Sequence, residues 1–384
     1  MAPATWIAPS AEEQELWNAQ QRADREAYVA ALAGTDVFVP RPIEGKDSKP
    51  YATARRGLHI VLPVYTRGVL PDRPPKGAYW DNRMFPQWVR DLAEQRAARQ
   101  LLINAGTPLE RELNVGRAAS WVKQNPQRVK HLSDLRGRIR TLFNEPLDGD
   151  LARGLACNAH LSVMNAVPWN TMSHPYVEYK AERDSLKALW LIDCAVDWQN
   201  KIDRLLDREQ HPWPADLVFA IRMDQGTHQS TGDVSTDTAN LSEAVDSWCE
   251  HRGIGATMRS DMADISQWIP RIESWMRRDD LLPPDGIVKT QSVFHWARCI
   301  NMARQGIACA YCDRTTAEQI IEHAGRLCAR TYPDWRELSA AYIIGRVLQM
   351  GRDGTAETLY AQSLAQHARL MQDPASPWVR FGLR

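Results

Sequence analysis

Net charge is the first thing missing. The 384 residues carry 47 Lys and Arg against 47 Asp and Glu, so no chain-wide field draws the protein to nucleic acid or an anionic membrane. Long apolar runs are missing too. The longest near-apolar stretches, 58–65 and 186–196, fall far short of the ~20 residues that cross a bilayer. Membrane insertion is therefore not expected. Met1–Trp6 has neither a basic nor an apolar leader pattern, and the expected location is cytoplasmic. Cysteine is scarce, with seven residues in an odd count, which excludes a disulfide framework and suits reduced, packed thiols. Phenylalanine (6) gives way to tryptophan (15), and only 9 of the 47 basic residues are lysine. No Walker A loop, Gly-rich dinucleotide turn, His-Glu-x-x-His, Gly-x-Ser-x-Gly or EF-hand loop occurs. No reaction is assigned on this basis, and no cofactor, metal or catalytic residue is expected.

What is present reads as α+β, a small α/β N-terminal domain (1–150) followed by a mostly α-helical C-terminal domain (151–384). Helical spacing runs through 11–33, opened by a Ser10/Glu13 capping box and stopped at Gly34. Strands are expected at Asp36–Pro40, at His59–Tyr65 (buried on both faces, since its apolar residues do not alternate) and at Gln100–Gly106. A helix is expected over Phe85–Arg99, with loops over Gly45–Arg56 and Gly68–Ala78. Beyond Leu151 helical periods dominate. Capping boxes are expected at Thr315/Glu318 and Asp334/Glu337, and a flexible loop at Asp224–Asn240.

Two segments are charged. Residues 111–140 sum to +6 and residues 233–285 to −6. The basic run has few aromatics to stack bases, so solvated helix faces or mutual neutralisation are preferred, and nucleic acid is not the expected partner. Asp193 and Asp197 form an i, i+4 pair read as helix-capping acids rather than a metal or acid–base site. Cys309-Ala-Tyr-Cys312 with His323 and Cys328 fits no common zinc spacing. His160 and His174 lack a neighbouring nucleophile in sequence and read as satisfied or exposed histidines.

One pattern stands out chemically. Over Ser292–Ala310 the residues Val293, Trp296, Ala297, Ile300, Ala303 and Ile307 form an apolar helical face, with Arg304 inside it and Asn301 on its border. Over Trp335–Gln349, Arg346 falls among Trp335, Leu338, Tyr342 and Gly345. A buried guanidinium must be paired or must hold a ligand. The preferred reading is an ion-pair lattice using Glu337, Asp197, Asp193 or Glu182; the alternative is an anion pocket. Arg298, Asn301, Arg304, Trp335, Tyr342 and Arg346 are its candidate ligand-binding residues.

Leu155-Ala-Cys-Asn-Ala-His160, Trp169-Asn-Thr-Met172, Asp197-Trp-Gln199, Arg204-Leu-Leu206, Ala303-Arg304, Asp334-Trp335, Ser339-Ala-Ala-Tyr-Ile-Ile-Gly-Arg346 and Asp373-Pro-Ala-Ser-Pro-Trp378 resemble the DUF1266 family, in its actinobacterial, Streptomyces-like members. Tyr28–Leu32, Val37–Pro40, Leu62–Tyr65 and Ile103-Asn104 resemble the SseB N-terminal domain. The chain departs from the family at Phe294-His295-Trp-Ala-Arg298, where members usually have Trp-Asp-x-x-Arg, so an acid expected near the arginines is missing. The resemblance implies no catalytic residues. It implies an interaction or adaptor protein, secretion-associated through the SseB-like part, with a protein partner. An enzyme or small-anion sensor using the arginines is the alternative.

Overall fold

A computed structural model describes residues 6–42, 51, 53–56, 59–134, 137–172, 179–207, 212–226, 228–351 and 354–384. In chain order these form α1 (Ala11–Gln21), α2 (Arg25–Ala33), β1 (Asp36–Pro42), β2 (Ala54–Arg56), β3 (His59–Thr66), β4 (Ala78–Met84), α3 (Phe85–Glu94), β5 (Gln100–Ile103), β6 (Arg111–Asn114), α4 (Val115–Gln124) and α5 (Pro126–Ser133). Then follow α6 (Gly149–Ala156), α7 (Ala159–Met164), α8 (Tyr179–Trp190), α9 (Ala195–Leu206), α10 (Pro214–Asp224), α11 (Val234–Arg252) and α12 (Ala256–Arg278). The remainder is α13 (Ser292–Ala308), α14 (Arg314–Thr331), α15 (Trp335–Met350), α16 (Ala356–Gln372) and α17 (Pro377–Arg380). The class is α+β. The chain divides into two compact units, one of 1–146 with 166–191 and one of 147–165 with 192–384.

In the first unit a mixed sheet has the order β4-β1-β3-β5-β6, with β2 paired to the first half of β3. Among the described strands only β3 and β5 run parallel. The strand at 59–66 lies inside the sheet, yet Ile60 is exposed while Val61, Leu62 and Val64 are buried. The core packs Tyr28 and Leu32 of α2, Val89 and Leu92 of α3 and Ala118 and Val122 of α4 with Val37, Leu62 and Leu101 of the sheet. Three strands escaped the sequence reading, the first being Ala54–Arg56, which lies in the segment expected to be loop and pairs with β3. Ala78–Met84 carries a polar run, Asp81-Asn82-Arg83, and shows no alternation, but it pairs with β1 over seven residues. Arg111–Asn114 is short and lies in the basic run. The helix expected over 11–33 is two helices: Ala23 takes a left-handed φ of 52° and Asp24 then caps α2 by accepting from the Ala27 N–H. The Ser10 cap is present, its hydroxyl accepting from the Glu12 and Glu13 N–H groups. Most of 45–56 lies outside the described residues.

The basic run finds local partners. Arg140 is buried and donates to Glu12 at 2.8 Å and Asp36 at 2.8 Å, and Arg67 donates to Asp36 at 2.6 Å. Burial would raise the Asp36 carboxyl, but Arg67 and Arg140 more than offset this and hold it below its ordinary range. Arg128 lies over Trp121, and Arg138 donates to the His131 carbonyl.

The second unit is helical throughout its named elements. Glycines set its closest crossings: a Cβ on Gly325 would lie 2.7 Å from the Gly154 Cα, and one on Gly306 2.6 Å from the Trp198 ring. Hence α6 meets α14, and α9 meets α13, at distances no larger residue permits. The loop expected at 224–240 is shorter, because Asp233 caps α11 through the Thr236 N–H. Likewise Asp313, not Thr315, caps α14. Asp334 caps α15 as expected. The Arg222–Glu273 pair is almost fully buried, with two hydrogen bonds of 3.0 and 3.1 Å. The acidic segment also holds its own partners, Arg259 meeting Asp246 and Glu250 and Arg278 meeting Asp279. Six of the cysteines are buried or half-buried; Cys194, before α9, is exposed.

Candidate functional site

The apolar stripe of α15 carries its polar residues inward. Ser339, Tyr342 and Arg346 are spaced by roughly one helical turn and are all buried. Arg346 is 5% exposed, and its Nη1 donates to the buried Ser363 hydroxyl of α16 at 2.8 Å. Among the described residues no carboxylate lies within salt-bridge distance of Arg346, and its buried Nε has no acceptor. This corrects the ion-pair lattice expected for it. Of the proposed acids, Glu337 is exposed, and the half-buried Asp197 accepts from the Asp193 N–H and the Cys194 thiol at the start of α9.

A polar cluster surrounds the arginine. His160 of α7 stacks flat on Tyr342, with ring centres 4.6 Å apart. Its Nε2 lies 2.8 Å from the Ser339 Oγ, which is also 2.8 Å from Nδ1 of His367 on α16. Burial, His367 and then Arg346 push the His160 pKa down to about 3. Burial, with Arg336, pushes His367 down to about 4. Both rings are neutral at physiological pH. Burial raises the Tyr342 phenol to about 12 against the pull of Arg346 and Arg298, so it remains an O–H donor, and among the described residues it has no acceptor. Arg298 of α13 is half-buried, its guanidinium 3.9 Å from the Phe294 ring centre, and burial lowers its pKa to about 10.

The structure therefore brings Tyr342, Arg346 and Arg298 within electrostatic reach of one another. Arg304 is fully buried and donates to Ser162 of α7 at 3.3 Å. Trp335 stands one step removed. It stacks on Trp378 at 5.3 Å and donates to the Phe381 carbonyl, while Trp378 meets the edge of His160. Asn301 donates to Gln305 along its own helix. His160, Ser339, Ser363 and His367 were missed as site residues, although Ser339 stands in the motif that carried the resemblance. His174 lies outside the described residues.

The acid missing from α13 has a counterpart. Asp216 of α10 lies 3.3 Å from the buried His295, and it also accepts from Gln291. A surface groove of about 390 Å³ beside α10–α12 is less suited to a charged ligand. Its Arg222 is neutralised by Glu273, and its Asp237 accepts from Ser230 and Thr231.

The family model described as "Protein of unknown function (DUF1266)" matches residues 185–382, a little over half the chain. The chain belongs to the DUF1266 family. The matched DUF1266 region takes in α13, α15 and α16, and hence Arg298, Tyr342, Arg346 and Ser363, but starts after His160 and Ser162. No curated protein and no solved structure matches the chain.

Proposed function

We propose that the DUF1266 region of this chain binds a small anion at Arg346, with Tyr342 donating a further hydrogen bond and Arg298 adding charge. The protein then acts as an anion-responsive binding protein. One observation carries the reading: a guanidinium nineteen-twentieths buried whose hydrogen bond goes to a neutral hydroxyl. A buried cation without a counter-charge is expensive, and a bound anion removes most of that cost. The two neutral histidines add polar surface without competing positive charge.

Thermal melts test this. With phosphate, sulfate, nucleotides or small carboxylates in turn, at least one should raise the melting temperature by about 5–10 °C. That is the effect of about 2.7 kcal/mol at a hundredfold excess over Kd. Arg346→Met should fold at least as well as the parent without anion and show no response. A strongly destabilised Arg346→Met, from a parent indifferent to every anion, would remove the proposal.

A second reading is the protein-binding adaptor, in the secretion-associated setting that the SseB-like resemblance implies. It is favoured by Leu189 and Leu191, which are 75% and 85% exposed at the end of α8. Replacing both with Ser should shift the melting temperature by no more than about 1–2 °C while abolishing co-purification of a partner. A large loss of stability would make the leucines structural and end that reading.

A further inference from the structure

We propose that the cavity of about 400 Å³ between α2, β6 and α4 binds an aromatic carboxylate, held by the Tyr28 hydroxyl and the Arg111 guanidinium. This site belongs to the sheet-containing unit and is independent of Arg346.

Tyr28 and Arg111 both line the cavity. Tyr28 is fully buried, and its hydroxyl has no hydrogen-bond partner. The Arg111 guanidinium carbon lies 4.6 Å from the Tyr28 ring centre, and its Nη1 is likewise buried without an acceptor. Burial keeps the phenol protonated, raising its pKa despite the nearby guanidinium. Two adjacent donors thus share a wall with no acceptor among the described residues. Buried polar groups are almost always satisfied, so each such group points to a missing partner. One carboxylate oxygen can accept from both, with the second oxygen completing a forked contact to the guanidinium.

The rest of the wall selects the body of the ligand. Val29, Leu113, Ala118 and Trp121 supply apolar surface on a wall that also carries Arg25, Glu26, Glu112 and Arg117. The volume lies within the range of small-molecule sites, which pair apolar walls with a few fixed polar groups. Arg111 rises from β6, the last strand of the sheet order, and is half-buried. Both donor atoms are sealed from solvent, so an entering carboxylate reaches them only by displacing the half-buried Arg111 side chain.

Calorimetric titration of the full chain with benzoate and phenylacetate tests the site, with benzamide as the neutral isostere and phenyl phosphate as the competing anion. Benzoate or phenylacetate should bind, and benzamide should bind about tenfold more weakly or not at all. Tyr28→Phe should keep or raise the melting temperature, since it removes an unsatisfied hydroxyl, and should weaken carboxylate binding about tenfold or more. Arg111→Gln should show the same loss if Tyr28→Phe folds poorly. Arg346→Met should leave the binding intact. No binding of either carboxylate at about 10 mM, equal binding by Tyr28→Phe, equal binding of benzamide, tighter binding of phenyl phosphate, or loss of binding in Arg346→Met would each overturn the proposal.

Discussion

Glu273→Ala should lower the melting temperature of the helical unit by about 10 °C or more, the signature of roughly 3–5 kcal/mol in a unit of this size. Glu273 accepts from both terminal nitrogens of Arg222 and, at 2.8 Å, from the Val288 N–H. Truncation leaves a buried guanidinium whose one remaining acceptor among the described residues is the Val288 carbonyl, and it orphans a backbone donor as well. The double variant Arg222→Met, Glu273→Leu separates pairing from packing. If the single loss reflects an uncompensated charge, the double variant should recover most of it, because a buried ion pair contributes little net stability over apolar residues of similar volume. A double variant as unstable as Glu273→Ala would locate the loss in packing. Urea unfolding followed by circular dichroism measures all three chains.

The Arg222–Glu273 pair was invisible in the sequence for a reason that also governs the site. Arg222 and Glu273 are 51 residues apart, and neither interrupts an apolar stripe strongly enough to be noticed. Arg304 and Arg346 were legible because helical periodicity alone places them on a buried face. Their surroundings were not. Ser363 and His367 belong to α16 and His160 to α7, and only the packing of those helices on α15 brings them together. The same division holds for the fold. Strands at 59–66 and 100–103 announce themselves through apolar, β-branched composition. The strand at 78–84 does not, because its pairing with β1 rather than its own pattern makes it a strand. Likewise the break at Ala23 depends on one left-handed residue and the Asp24 cap, which a helix-period count passes over.

Acid should weaken the helical unit well before any carboxylate titrates. His160 and His367 are held neutral in the folded state, at about 3 and about 4, below the ordinary value of 6.5. Below pH 6.5 the unfolded chain therefore binds protons that the folded chain refuses. The stability these groups contribute is full above the unfolded value and falls as pH drops through the window between 6.5 and the folded values. Between pH 7 and pH 5 the two together should remove about 3–4 kcal/mol, at 1.36 kcal/mol per unit of displacement for each. Denaturant titrations at pH 7, 6 and 5 should show midpoints falling steadily. His367→Gln keeps a polar partner for the Ser339 hydroxyl and should remove about half of the slope. The same window bears on the anion. A bound anion beside Arg346 would raise the pKa of His160, since it offsets one of the positive charges that depresses it. Acid should then cost less stability in the presence of the anion that raises the melting temperature, and the affinity for that anion should increase as pH falls. A midpoint independent of pH between 7 and 5, in parent and His367→Gln alike, would show that the cluster is solvated and that Arg346 does not stand in a dry, positive environment.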